Sequence, residues 1–178
     1  MRSRTFRAAG LFLLLACPAP FLAAVPARAA SPEDHPAVPA ILSRAESLFQ
    51  SMKSRDYPAI FAALSAKSRE TIVAETSSAL AAADTPSASA KIPAPGLEAV
   101  RGDFIAGGPI ARDYWDAFLR RFDPDAALEH SRWEIGSVGK DRAEVLLTHH
   151  GAERPAVLKM FREDGGWKAG LVETFWSR

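Results

Sequence analysis

Apolar residues recur at intervals of three and four along the first two thirds of the chain, and at intervals of two along the last third. Val38, Ile41, Leu42, Ala45, Leu48, Phe49 and Met52 trace one face of a helix with a single buried stripe. Asp56 then reads as an N-cap, with Pro58 in the first turn of a short second helix. Tyr57, Ile60, Phe61 and Leu64 are its apolar side. Ser65 or Ser68 caps a third helix that carries Ile72, Val73 and Leu80. The stretch 85–96, TPSASAKIPAPG, breaks the pattern and reads as a mobile loop. Residues 97–105 form a short turn of helix. Gly107-Gly108-Pro109 then introduces a fourth helix, with Ile110, Tyr114, Trp115, Phe118 and Phe122 along one side. Asp123-Pro124 ends it, because the residue before a proline avoids helical geometry.

From residue 128 the period changes to two, which predicts four strands over 128–137, 142–150, 155–162 and 167–176. The intervening turns are short: Gly139-Lys140-Asp141, then residues 151–154, then Glu163-Asp164-Gly165-Gly166. Short turns make the sheet an antiparallel meander. The fold class is therefore α+β, with N-terminal helices packed on a curved four-stranded meander. Register follows from requiring one apolar face. One row is Ile135, Val145, Met160 and Ala169; the next is Trp133, Leu147, Leu158 and Leu171. With Tyr114, the second row is the predicted lining of a ligand cavity between sheet and helices.

The row beyond these is polar: Ser131, His149, Ala156 and Glu173. Strands lie about 4.8 Å apart, so His149 and Glu173 reach toward each other across the small Ala156, with Ser131 on the other flank. A hydroxyl, an imidazole and a carboxylate in line are the groups of nucleophilic or acid–base chemistry. The plainer reading, a polar rim where the sheet leaves its core, is favoured. The opposite face mixes charges with Leu146, Val157, Phe161, Val172 and Trp176, and either a dimer interface or the N-terminal helix wrapping round would cover it. His130 and His150 are neighbours on that face, but no third ligand accompanies them, so no metal and no cofactor are expected. Asp113 and Asp116, beside Tyr114 and Trp115, fit the wet side of a helix better than a buried general base. Arg120-Arg121 fits a solvated helix end that complements the helix dipole.

The first residues change the picture of where the protein works. Arg2, Arg4 and Arg7 precede an apolar run over 8–25, closed by Pro26-Ala27-Arg28-Ala29, the layout of an export signal over 1–29. Residues 30–36 then form a disordered lead, and 37–178 a single domain with a flexible loop at about 84–108. Removal of the signal takes four of the 22 basic residues and none of the 21 acidic ones, leaving a mature charge of −3. That excludes the basic stripe of a nucleic-acid binder. No later apolar run is long enough to span a bilayer. The single cysteine, Cys17, lies inside the signal, so the mature domain holds no disulfide and stands on its apolar core. Leu14-Leu15-Ala16-Cys17 also resembles a lipoprotein box. Simple secretion is favoured, because Leu15 is large for its position and Pro18-Ala19-Pro20-Phe21-Leu22 is apolar where a polar tether is usual.

The segment AESLFQSMKSRDYPAIFAALSAKSRETI resembles the first two helices of small exported bacterial members of the nuclear transport factor 2-like superfamily. RPAVLKMFREDGGWKAGLVETFW resembles their last hairpin, a charged turn before Trp and a final strand. The resemblance implies a cone-shaped α+β barrel with a cavity between sheet and helices. In that superfamily the cavity serves isomerases and dehydratases, ligand-binding domains and assembly modules. No family catalytic residue maps onto a position here. The expected function is an exported, non-catalytic domain that binds a small apolar ligand or a protein partner. The alternatives are an enzyme using His149, Glu173 and Ser131, and a dimerisation module using the outer sheet face.

Overall fold

The computed structural model describes residues 31–83 and 95–175. Residues 1–29, read as an export signal and including Cys17, most of the 85–96 stretch read as a loop, and Trp176 lie outside the described residues. A 3-10 turn at Pro32–Asp34 falls within the lead for which the sequence offers no regular element.

Helix α1, Val38–Ser54, buries Ile41, Ala45, Leu48, Phe49 and Met52, the stripe read from the sequence. It ends where Arg55 takes a left-handed conformation, and its amide bonds back to the Met52 carbonyl. Helix α2, Tyr57–Ala63, is capped by Asp56, which accepts from the Ala59 amide at 3.1 Å. Helix α3 follows at Ala66–Ala83. Of the two serines proposed as its cap, Ser65 does the work: its Oγ accepts from the Ser68 amide at 3.1 Å. Helix α4, Leu97–Ala106, bears out the helical turn read at 97–105 and corrects the flexible loop drawn over about 84–108, whose second half it occupies. Gly107 closes it at φ 66, pressed against the ring of Pro58, a place no side chain fits. Helix α5 then runs Pro109–Leu119.

Asp123-Pro124 does not lead into a strand. Asp123 caps a further helix, α6 at Pro124–Glu129, accepting from the amides of Asp125 and Ala126. Proline at the first helical position starts a helix as readily as it stops the preceding one. The first strand therefore begins later than predicted.

Strands β1 (Ser131–Val138), β2 (Arg142–His149), β3 (Ala156–Glu163) and β4 (Gly166–Gly170) form one antiparallel sheet in sequence order. The β1–β2 register is as predicted, with Ser131 opposite His149, Trp133 opposite Leu147 and Ile135 opposite Val145, up to an irregularity at Gly136. The β2–β3 register differs by two residues: Val145 faces Leu158, and Leu147 faces Ala156. Met160 still faces Ala169 across β3–β4.

The last strand stops at Gly170, and Leu171–Phe175 turns into a short helix, α7. A Cβ on Gly170 would collide with the Phe161 ring, so the chain passes there only as glycine. Beyond that point α7 replaces the missing part of β4. Thr174 Oγ1 accepts from the Lys159 amide at 3.0 Å, and the Glu173 carbonyl accepts from Lys159 Nζ at 2.8 Å.

One buried apolar cluster unites helix and strand residues, among them Leu48, Ile60, Trp115, Val145 and Met160. Helix α1 touches β1, β2 and β4. No helix among the described residues is long and apolar enough to cross a membrane.

Candidate functional site

The polar row drawn from the sequence does not form. Ser131 and His149 do face each other on β1 and β2, but His149 is exposed at the strand end and Ser131 Oγ donates to the Ala126 carbonyl. Glu173 has left the sheet. Its Oε1 accepts from Ser65 Oγ at 2.8 Å and its Oε2 from Ser68 Oγ at 2.6 Å. Both serines are wholly buried, and Ser68 Oγ in turn accepts from the Val172 amide at 3.1 Å. Every hydroxyl in this cluster has both a donor and an acceptor role filled. It fastens α7 to the start of α3, and both hydroxyls are fully engaged in holding the carboxylate.

The predicted cavity lining is mostly core. Leu158 and Leu171 are 2% and 1% exposed, and Leu147 is buried beside them. Trp133 packs edge-on against Phe49 with ring centroids 5.2 Å apart, and its Nε1 donates to the Ala127 carbonyl at 2.9 Å. These four residues fill the interior with their own side chains. Tyr114 is different, because it opens onto the surface.

The other residues singled out by the sequence have ordinary partners. The His130 ring meets His149, not His150, at a centroid distance of 6.5 Å; the His150 amide donates to the His130 carbonyl. Among the described residues no three His, Cys, Asp or Glu side chains gather to hold a metal. Asp116 accepts from Arg55 Nη1 at 2.9 Å and from Tyr57 Oη at 2.8 Å, and Asp113 is exposed. On the outer sheet face Leu146, Val157 and Phe161 are half-buried, whereas Val172, read as part of that face, is buried in α7.

The concave surface with the most aromatic lining lies along α5. This helix carries more apolar residues than one stripe can bury. Ala111 and Trp115 are wholly enclosed, while Ile110, Tyr114 and Phe118, spaced by four, form a second stripe that is only half-buried. Rings follow one another through this region at centroid spacings of 5.0 to 5.7 Å. They run from Phe61 through Phe104, Tyr114, Trp115, Phe118, Phe122 and Phe49 to Trp133. Tilted and edge-on contacts of this kind fix ring positions beyond simple area burial.

Two grooves flank Tyr114. One, of about 550 Å³, is lined by Tyr114, Ala117, Phe118, Phe122 and Phe175, with Arg120 and Arg121 at its edge. Phe175 enters from α7 and is 51% exposed. The other, of about 420 Å³, is lined by Thr76, Ala79, Leu80, Ile110 and Tyr114 together with Glu75 and Asp113. Burial, helped by the nearby Glu75 charge, pushes the Tyr114 phenol up to about 12. The phenol therefore stays neutral across the physiological range and acts as a hydrogen-bonding, largely apolar wall.

Sequence reasoning found Tyr114 but took Phe118 and Phe122 only as a helix face, and missed Phe175 altogether. The signal available was the excess width of the apolar arc on α5. Phe175 carried no local signal, since its position follows from the turn of the chain at Gly170. No protein-family model, curated protein or solved structure matches this chain.

Proposed function

We propose that this is an exported, non-catalytic binding domain whose groove between α5 and α7 holds a small apolar ligand. The observation that carries the reading is the set of four aromatic residues, Tyr114, Phe118, Phe122 and Phe175, that line one groove of about 550 Å³. Small-molecule sites are commonly concave, about 300–1,000 Å³, and walled by apolar and aromatic side chains. The engagement of Glu173 by Ser65 and Ser68 supports the non-catalytic side of the reading, because it removes the carboxylate from His149. The arginines, apolar run and small residues at 1–29 support export. Helices followed by a four-stranded meander, with α1 against three of the strands, support a place in the nuclear transport factor 2-like superfamily. In that reading the sheet curves into an open cone, and the ligand sits at its helical flank instead of between sheet and helices.

The test uses secreted protein and the uncharged dye N-phenylnaphthylamine, whose emission rises in apolar sites. Saturable enhancement is expected. Phe118→Ala and Phe175→Ala should each weaken it about tenfold, the loss of roughly 1.4 kcal/mol of contact. Dye that fails to bind, or binds the two variants as well as the parent, removes the groove as the site. Native mass spectrometry of protein taken from its own compartment reports any retained ligand directly.

A further inference from the structure

We infer that the ligand of the α5–α7 groove is an amphiphile with one anionic head group, a long-chain carboxylate whose head is held by Arg120 and Arg121; this rests on the binding reading above. Among the described residues the two arginines are the only charged ones that line the groove, and no described carboxylate lines it. Both are exposed, and neither side chain has a hydrogen bond or ion pair among the described residues.

The surrounding carboxylates are committed elsewhere. Asp116 stands four residues before Arg120, the spacing at which a helix usually forms an ion pair. It turns instead to Arg55 and Tyr57, at 2.9 and 2.8 Å. Asp123, two residues after Arg121, accepts from the amides that open α6. Asp113 and Glu75 line the groove on the far side of Tyr114. Among the described residues the positive charge at the edge of the α5–α7 groove thus has no counterion.

Backbone geometry explains how two consecutive residues serve one groove. Within a helix, neighbours project about 100° apart. Helix α5 ends at Leu119, and Arg120 and Arg121 lie in the turn that follows, with the Arg121 amide bonded to the Phe118 carbonyl at 2.9 Å. The turn brings both side chains to the groove that Phe118 and Phe122 wall. A guanidinium is a planar fork that matches a carboxylate with two parallel hydrogen bonds. The carbonyl end of α5 carries partial negative charge and repels an anion. Recognition of an acid there must come from the arginines, and the apolar tail lies along the rings.

The experiment displaces bound N-phenylnaphthylamine from the secreted protein with dodecanoate, dodecanol and dodecylammonium, each below its micellar concentration. Dodecanoate should compete at about one fifth of the dodecanol concentration or less, the scale of a solvent-exposed ion pair, and dodecylammonium should be the weakest. Added salt should narrow the advantage of the acid. In the double variant Arg120→Gln, Arg121→Gln the ratio of acid to alcohol should fall to one or reverse, because only the helix end then acts on the head group. Equal competition by acid and alcohol in the parent protein overturns the anion assignment and leaves the groove standing. Persistence of the acid's advantage in the double variant overturns the role of the arginines. If the dye does not bind and none of the three amphiphiles forms a complex by native mass spectrometry, the groove itself fails and the inference fails with it.

Discussion

The inward-facing residues of the sheet and of the start of α7 are as rich in large apolar side chains as the α5 groove, yet the first set is closed and the second open. Trp133, Leu147, Leu158 and Leu171 meet helices that cover them, and Leu158 is 2% exposed. Tyr114 and Phe118 sit on a helix that has already buried Ala111 and Trp115, with Phe122 in the turn that follows, and among the described residues only the edge of α7 reaches the groove they wall. The same residue chemistry supplies stability in one place and a concave apolar surface in the other. Whether a neighbouring element arrives to cover the residues decides which, and here α7 contributes Phe175 at the groove's border.

The difference is most easily broken by truncation. Leu158→Ala removes buried carbons from a fully enclosed site and should cost about 2–5 kcal/mol, read as a lower urea midpoint. Phe118→Ala deletes a larger side chain from a half-buried position and should cost less than Leu158→Ala, while weakening dye binding. Equal destabilisation by the two would mean that Phe118 is core, and the contrast between closed row and open groove would collapse.

Tyr114 sharpens the comparison through pH. Its phenol is raised to about 12 from 10.0, chiefly by burial and then by Glu75. The folded state therefore favours the neutral form more than the unfolded chain does. Stability from this source is complete below pH 10 and is lost as pH rises from about 10 toward about 12, by about 2 kcal/mol in all. Tyr114→Phe should flatten that alkaline decline in urea midpoints. Tyr57 moves in the same direction through burial and its bond to Asp116, so some decline persists in the variant. A decline unchanged by Tyr114→Phe would show that Tyr114 is solvated, and that the groove wall is looser than its ring contacts imply.

What the sequence made legible follows from what periodicity can and cannot specify. Alternation fixes which face of a strand is buried, and Ile135, Val145, Leu147, Leu158, Met160 and Ala169 are buried as assigned, whereas Leu171 and Glu173 leave the sheet for α7. Alternation is blind to a shift of two, because such a shift returns each side chain to the same face. The β1–β2 turn is short enough to fix the register, and Trp133 faces Leu147 as read. The β2–β3 connection runs through Gly151 at φ 82 and admits the shift that puts Leu158 opposite Val145. At Gly170 the alternating pattern continues in Leu171, Val172 and Glu173, but distant partners override it. Ser65 and Ser68, more than 100 residues earlier, hold Glu173 and turn the chain into a helix. The candidate catalytic row depended on both the slipped register and the continued strand, so it failed twice over. The groove depended on where α7 places Phe175, which no local pattern encodes.

Helix α6 is the smallest element between the two regions, and its cap gives the finest test. Sequence signals at Asp123-Pro124 fit a stop and a start equally well, and the structure uses both. From α6 the Ala126 and Ala127 carbonyls accept from Ser131 Oγ and Trp133 Nε1, which seats the first strand. On the other side Phe122, just before the cap, packs on Phe118 and on Phe49 at centroid distances of 5.5 and 5.6 Å. Asp123→Ala removes the acceptor of the Asp125 and Ala126 amides and should cost about 1 kcal/mol. The loss should fall unevenly. Exchange of the Trp133 indole N–H should quicken, because its acceptor belongs to the loosened helix, whereas dye affinity should change less than twofold, because the rings that wall the groove are held by α5 and α7. A large fall in dye affinity would mean that α6 braces the groove as well as the strand, and the closed row and the open groove would then be one mechanical unit.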